Sequence, residues 1–348
     1  MNRIETDKIF QGQRIESSDD FYYWLRYISA NNGYWPLVDF RKVGISKYMS
    51  KRARQSAYVE FDIPKKTGGV RHIVAPNVEL KAVQSCINIL LQAIYEPHEC
   101  ATGFICGRGV KSNAERHLSS SCMLNLDLKD FFPSITKDMV RRALKEELSE
   151  QIPSAEVRNM ICNICTIPAP DGTEVLPQGA PTSPVLSNIV LKRLDRRLAA
   201  FAGAHGYNYS RYADDITFSH NRAGRRFSRF FMDKTRAMIK DYGLQINDSK
   251  TRINATGGRM EVTGLTVGNK VNVSRRYVKQ LRTLLHLWRH YGYDKAQQIY
   301  DRDFSNGVHT DLKSVIGGKI NYLTMIRGKE DQTATNYVKQ FSKLLHNN

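Results

Sequence analysis

The apolar positions of this chain recur at two spacings, and the change between them marks its elements. Leu80, Val83, Ile87, Leu90 and Leu91 repeat at three- and four-residue intervals, which predicts a helix from about Val78 to Tyr95. Just before it, EFDIPKKTGGVRHIVAP (60–76) has two strand-like runs around a Gly-containing turn, a hairpin with basic residues at its tip. CMLNLDL (122–128) predicts a buried strand, 138–151 a charged helix and 155–166 an apolar one. A further helix opens near Ser183-Pro184 and runs to about 202, and another covers 226–242. Short strands flank Asp214-Asp215 and recur between 250 and 273. Phe21–Ser29 is an amphipathic stretch in an otherwise polar and aromatic beginning. Beyond 274 the period is helical throughout, with Tyr277, Leu281, Leu284, Leu285 and Trp288 on one stripe. The pattern divides the chain into an N-terminal extension (1–60), an α+β centre (61–265) and a helical tail (266–348). No internal repeat or low-complexity tract interrupts it.

Composition adds a partner class. Hydrophobic residues make up 41% and charged residues 25% of the 348, ordinary values for a globular chain. The sign of the charge is not ordinary: 52 Lys and Arg face 34 acidic residues, a formal +18. Such an excess favours a polyanion, because each neutralised phosphate releases condensed counterions; ribosome-like or membrane-surface binding gives a similar imbalance, so charge alone names no function. The first residues lack the apolar core of a signal peptide, and no apolar run reaches the roughly 18 residues of a membrane span, so a cytoplasmic protein without a membrane partner is expected. Six cysteines in such a chain do not suggest a disulfide framework. Cys162 and Cys165 form a CxxC without a second ligand pair, and NMICNICTI reads as a buried helix rather than a zinc site.

The chemistry concentrates in three segments. YSRYADDITFS places Asp214 and Asp215 at the turn between two strands. A bare Asp-Asp is more often a solvated turn. Adjacent carboxylates repel one another, however, and a hard divalent cation removes that penalty with the oxygen ligands Mg²⁺ prefers. In NLDLKDFFPSI (125–135), Asp127 lies within an apolar strand, where an ionised carboxylate needs a partner. Together the three would make a carboxylate site for two metal ions, one activating a hydroxyl and the other stabilising a leaving pyrophosphate. In LPQGAPTSPVLSN (176–188), prolines stiffen a loop that opens a helix, with Thr182 or Ser183 as its cap. Singly, each segment has an ordinary structural explanation.

In this order the segments resemble those of reverse transcriptases, over roughly residues 60–330. Asp127 matches the first catalytic Asp of that family, LPQGAPTSP its nucleotide-contacting loop, and YADD its catalytic hairpin. GLQINDSKT (243–251) is similar to the following motif, whose Lys falls at Lys250. The resemblance implies an α+β right-hand fold of fingers, palm and thumb, with an antiparallel palm sheet and a helical thumb. It implies two Mg²⁺ ions, with Mn²⁺ as a substitute, held by Asp127, the Leu128 main chain, Asp214 and Asp215. Incoming deoxynucleoside triphosphate would meet Arg71 with Lys65 or Lys66 on the fingers hairpin, and Gln178 on the loop. Phe132 falls where the family carries an aromatic gate against a ribose 2′-OH. Were the chain extended there, Phe131 and Phe132 would face opposite ways, one as core and one as gate. Lys250 would protonate the departing pyrophosphate.

Two further segments resemble the bacterial retron group. Asn113-Ala114 with His117 is similar to its NAxxH motif, and Val262-Thr263-Gly264 to its VTG motif. GGKINYLTMIRG (317–328), with Lys319 and Tyr322, looks like its thumb. The resemblance implies a cognate structured noncoding RNA, priming from an internal guanosine 2′-OH, and a branched RNA–DNA product. Asn113 and His117 would serve priming, and Arg275, Arg276, Lys279 and Arg282 would hold RNA. It also implies a role in antiphage defence with a separate effector protein. Template removal would fall to a host RNase H, since little chain follows Thr266. The alternatives are another bacterial reverse transcriptase, such as a group II intron maturase or a diversity-generating enzyme, and an RNA- and effector-binding scaffold in which polymerisation is secondary.

Overall fold

The computed structural model describes residues 12–34, 40, 42–65, 68–222, 224, 226–255, 258–305 and 307–346. The chain divides into two compact units. The first comprises 1–109, 124–218 and 227–253, the second 110–123, 219–226 and 254–348. Residues 110–123, which carry the NAxxH segment, therefore group with the C-terminal residues and not with their sequence neighbours.

In the first unit, helix α1 (Ser18–Asn31) begins at a capping box, Ser17 and Asp20 each satisfying the other's amide, and buries Phe21, Trp24, Leu25 and Ile28. The hairpin of β1 (Tyr58–Pro64) and β2 (Val70–Pro76) follows, paired so that Ile63 lies opposite Arg71. Asn77 caps α2 (Val78–Ile94), whose Leu80, Val83, Ile87, Leu90 and Leu91 are fully buried on the stripe their spacing predicts. In the second unit, α3 (Val110–Glu115) is short. Strand β3 (Cys122–Asp127) carries the first acidic residue at its end.

Helices α4 (Lys137–Leu148) and α5 (Ala155–Cys165) are capped by Thr136 and Ser154. Cys162 and Cys165 lie on the buried face of α5, and burial pushes both thiols up to about 12. A small hairpin, β4 (Ile167–Pro168) with β5 (Glu174–Val175), leads into α6 (Ser183–Ala204). Thr182 is the N-cap residue of α6 but makes no side-chain capping bond, and the Ser183 hydroxyl donates to the Pro177 carbonyl at 2.7 Å. Pro184 thus lies in the first turn of the helix, its missing N–H falling where none is needed, while Ser183 ties the loop instead of capping.

Strands β6 (Asn208–Tyr212) and β7 (Asp215–His220) form the hairpin around Ala213-Asp214, and α7 spans Arg229–Asp241. With β8 (Arg252–Ala255) they complete a four-stranded sheet in the order β6-β7-β3-β8. This order puts the acidic end of β3 directly beside the acidic start of β7.

The second unit has a three-stranded sheet, β11-β10-β9, of β9 (Glu261–Val262), β10 (Leu265–Val267) and β11 (Val271–Asn272). Val262 pairs with Leu265 across a two-residue turn in which Thr263 and Gly264 both have positive φ, 47° and 80°. That is the backbone of a hairpin turn needing two left-handed residues, and it explains the Thr-Gly of the VTG segment. Helix α3 packs on all three strands, with Ala114 in the core. Four helices complete the unit: α8 (Arg275–Tyr291), α9 (Tyr293–Asp303), α10 (Leu312–Arg327) and α11 (Gln332–His346). Leu281, Leu284, Leu285 and Trp288 join Ile316, Ile320 and Leu323 in its core. Among the described residues no helix is long and apolar enough to cross a membrane.

Candidate active site

Strand adjacency brings the acidic segments together. The Leu128 amide donates to the Asp214 carbonyl at 3.0 Å, and the Asn247 amide to the Asp127 carbonyl at 2.7 Å. The YADD turn, Asp127 and the segment before Lys250 are thus stitched by main-chain bonds. All three carboxylates are half-buried. Burial raises the pKa of Asp214, helped by the negative charge of Asp127 and opposed by Lys250 and Arg71. Asp215 is pushed up to about 6 by burial and then by the charges of Asp214 and Asp127. Lys250 donates to both carboxylate oxygens of Asp127, at 2.9 and 3.0 Å. It therefore rests on the first acidic residue in this conformation, where the sequence led us to expect a group facing pyrophosphate. Among the described residues no three His, Cys, Asp or Glu side chains stand together as a ready metal-ligand group. The donor set nonetheless suits a hard divalent ion: clustered carboxylate oxygens, with Asp215 raised by its acidic neighbours and a side-chain cation already drawn to Asp127.

The turn itself is locked from behind. Ala213 has φ 55°, a left-handed backbone that turns the chain into Asp214 and then Asp215 at the start of β7. Arg211 donates to the Ala213 carbonyl at 3.2 Å while its Nε and Nη2 grip Asp195 on α6 at 2.8 and 2.7 Å. The Tyr209 hydroxyl donates to the same carboxylate at 2.7 Å. Arg211 and Asp195 belong to none of the motifs that mark the site in the sequence. Their signal was present: an Arg inside a buried strand and an Asp on the apolar face of a helix, each needing a partner.

The proline-rich loop meets the hairpin. The Val74 amide donates to the Gln178 carbonyl at 2.9 Å, and Gly179 has φ 140°. A Cβ on Gly179 would lie 3.0 Å from both the Ile73 methyl and the Val74 carbonyl oxygen, so a residue without one allows this approach. Gln178 is half-buried beside Gly179, whereas Arg71 and Lys65 are exposed on the hairpin; Lys66 lies outside the described residues. Phe131 is buried in the core and Phe132 is half-buried, and residues 129–134 form turns and not the extended strand expected. Asp130, with φ 44°, makes the chain bend there, so the two rings lie against each other at the turn instead of facing opposite ways as in a strand. The Phe132 ring lies 5.1 Å from that of Phe131 and 6.3 Å from that of Phe104, centre to centre.

In the second unit Asn113 and His117 are both fully buried. The Nδ1 of His117 lies 2.7 Å from the Ser219 hydroxyl, and burial, then Arg116, lowers its pKa to about 3. Neither side chain is open to a ligand in this conformation. Arg275, Arg276, Lys279 and Arg282 are exposed on α8, with Arg282 reaching the Tyr337 hydroxyl at 3.4 Å. Lys319 lies over the Tyr277 ring, 4.4 Å from its centre, and Tyr322 packs 5.5 Å from the same ring.

Comparison with known proteins agrees with the geometry. The family described as reverse transcriptase (RNA-dependent DNA polymerase) matches residues 63–276. The Retron Mx65 reverse transcriptase of Myxococcus xanthus is 38% identical over 260 residues, 70% of this chain and 60% of that protein. The Retron Mx162 reverse transcriptase of the same organism is 34% identical over 66% of this chain and 52% of its own length. The chain therefore spans just over half the length of these two relatives. The Retron Ec83 reverse transcriptase of Escherichia coli is 29% identical over 82% of this chain and 91% of its own. With more than half of its length matched by the family and the YADD hairpin set beside Asp127, the chain belongs to the reverse transcriptases, in their bacterial retron branch, and has their α+β right-hand polymerase fold.

Proposed function

We propose that this protein is an RNA-directed DNA polymerase that copies a cognate structured RNA into DNA, primed from an internal guanosine 2′-OH of that RNA. The observation that carries the reading is the main-chain bond between Leu128 and Asp214, which sets Asp127 beside Asp214 and Asp215 at adjoining strand ends. Asp127, Asp214, Asp215 and the Leu128 carbonyl would hold two divalent ions, Mg²⁺ or Mn²⁺ by the hardness of the donors. Bound there, such ions supply activation of the attacking hydroxyl and stabilisation of the departing pyrophosphate.

The chain's own groups do the rest. Arg71 and Lys65, with Lys66 beside them in sequence, offer phosphate contacts from the hairpin, and Gln178 offers an amide from the loop. Phe132 excludes a ribose 2′-OH by occupying its space. Lys250 moves between the Asp127 carboxylate, which it neutralises at rest, and the triphosphate, to which it gives a proton. The exposed basic face of α8 holds RNA phosphates in a sequence-independent way. Because Asn113 and His117 are buried, they serve priming by shaping α3 and its sheet and not by touching RNA. We further propose a branched RNA–DNA product, a host RNase H that trims the template, a separate effector protein, a role in antiphage defence and a cytoplasmic location.

The test is to purify the protein from cells that also carry its native neighbouring DNA, and to treat the bound nucleic acid with RNase and debranching enzyme. A short DNA joined to RNA through a debranchable linkage, absent from an Asp214→Asn/Asp215→Asn variant, is expected. Bound RNA with no DNA in either sample would overturn the polymerase reading.

A further inference from the structure

Residues 100–104 run beside β6 and reach the YADD turn. The Arg211 amide donates to the Cys100 carbonyl at 2.9 Å, and the amide and hydroxyl of Thr102 both donate to the Arg211 carbonyl, at 2.9 and 3.0 Å. Next comes Gly103, where a Cβ would stand only 2.7 Å from the Ala213 nitrogen. The segment therefore abuts the turn backbone to backbone, and the side-chain Nδ2 of Asn188 donates to the Gly103 carbonyl at 2.9 Å.

At Phe104 the backbone turns to φ 61°. Bulky side chains seldom adopt that region, because the Cβ crowds the following carbonyl. Glycine would take the conformation without strain, yet the position holds a phenylalanine whose ring fills no core: it is 43% exposed. The ring centre lies 6.3 Å from those of both Phe132 and Tyr212, so the three rings form an aromatic cluster beside the acidic turn, with Phe104 its exposed member. A strained residue that buries little calls for a role on its exposed side.

We propose that Phe104 is a specificity-determining residue whose exposed ring packs on the terminal base pair of the primer–template duplex. The inference rests on the polymerase reading above. An aromatic face accepts any base or sugar, so the contact is indifferent to sequence but responds to the position of the terminal pair. A mismatched terminus displaces the bases, loses the ring contact and is extended more slowly.

The test compares wild type with Phe104→Gly, Phe104→Leu and Phe104→Tyr. It measures Mg²⁺-dependent single-nucleotide extension of DNA primers annealed to RNA, with matched and mismatched ends, and binding of a fluorescent RNA–DNA duplex. Glycine suits the left-handed backbone, so the Gly variant should melt at or above the wild-type temperature. Its kcat/KM on matched ends should fall roughly tenfold, the size of one lost stacking contact. Its preference for matched over mismatched ends should fall as well. Tyrosine should restore both, and leucine, which returns bulk without the ring, should not restore the preference. Wild-type kinetics in the Gly variant, a lowered melting temperature, or full rescue by leucine would each overturn the inference. Failure of the wild type to extend any primer would sink the polymerase reading instead. Weaker duplex binding by the Gly variant would then still support the ring contact, and unchanged binding would overturn that too.

Discussion

Arg211 and Asp195 form a fully buried bidentate ion pair, and the same guanidinium holds the Ala213 carbonyl next to the acidic pair. Breaking such a pair from one side leaves an uncompensated buried charge, which costs about 3–5 kcal/mol. Arg211→Met should therefore destabilise by that order, and Arg211→Met combined with Asp195→Asn by clearly less than the two single changes summed. Urea unfolding of the three variants measures this. Additive losses would mean that the pair does not act as a unit.

Gly103→Ala addresses the turn from the other side. Its methyl would press on the Ala213 nitrogen at 2.7 Å, and a backbone atom cannot swing away as a flexible side chain does. We expect a loss of about 1–3 kcal/mol and a fall in kcat well beyond it. Extension assays beside a melting curve read both, and wild-type values in each would show that the close approach is unimportant.

Asp215→Asn should raise stability while abolishing extension. The Asp215 carboxyl is raised to about 6, above its ordinary value near 3.8, by burial and by its acidic neighbours. A carboxylate so raised binds its proton more readily when folded, so stability falls as pH rises through that window and the loss is complete above it. At pH 7.5 without divalent ions the variant should gain on the order of 1–3 kcal/mol. Added Mg²⁺ should raise the wild-type melting temperature and narrow the difference. A variant less stable than wild type in EDTA would contradict this.

His117 should make the protein acid-sensitive. Its folded pKa of about 3 lies below the ordinary 6.5, so the unfolded chain binds a proton that the folded one refuses. Its contribution is fully present above pH 6.5 and is lost as pH falls towards 3. Between pH 7 and 5 the wild type should lose about 1–2 kcal/mol more than His117→Gln. Urea midpoints at the two pH values test this, and parallel losses would remove His117 from the account.

Phe132→Ala should admit ribonucleotides. Removing the ring opens space beside the sugar, and the ratio of deoxy- to ribonucleotide kcat/KM should drop at least tenfold. Unchanged discrimination would take the gate role from Phe132.

What the sequence alone determined about this protein was local. Helix stripes such as Leu80–Leu91 depend on residues a few positions apart, and the expected helices appear within a few residues of their predicted ends. The motifs around Asp127 and Asp214 were legible because a carboxylate in an apolar strand stands out against its neighbours. The thiols of Cys162 and Cys165 were readable as core residues for the same reason, their spacing matching the buried face of a helix.

Only the tertiary structure decided which distant segments meet. Nothing near Gly103 or Phe104 in sequence announces that they abut a turn more than a hundred positions away. The pairing of Asp195 with Arg211, the seat of Lys250 on Asp127 and the grouping of residues 110–123 with the C-terminal unit are likewise products of packing. Side-chain type records that a charge needs a partner or that a glycine permits close approach; which partner arrives depends on strand order and helix placement, which no local pattern encodes.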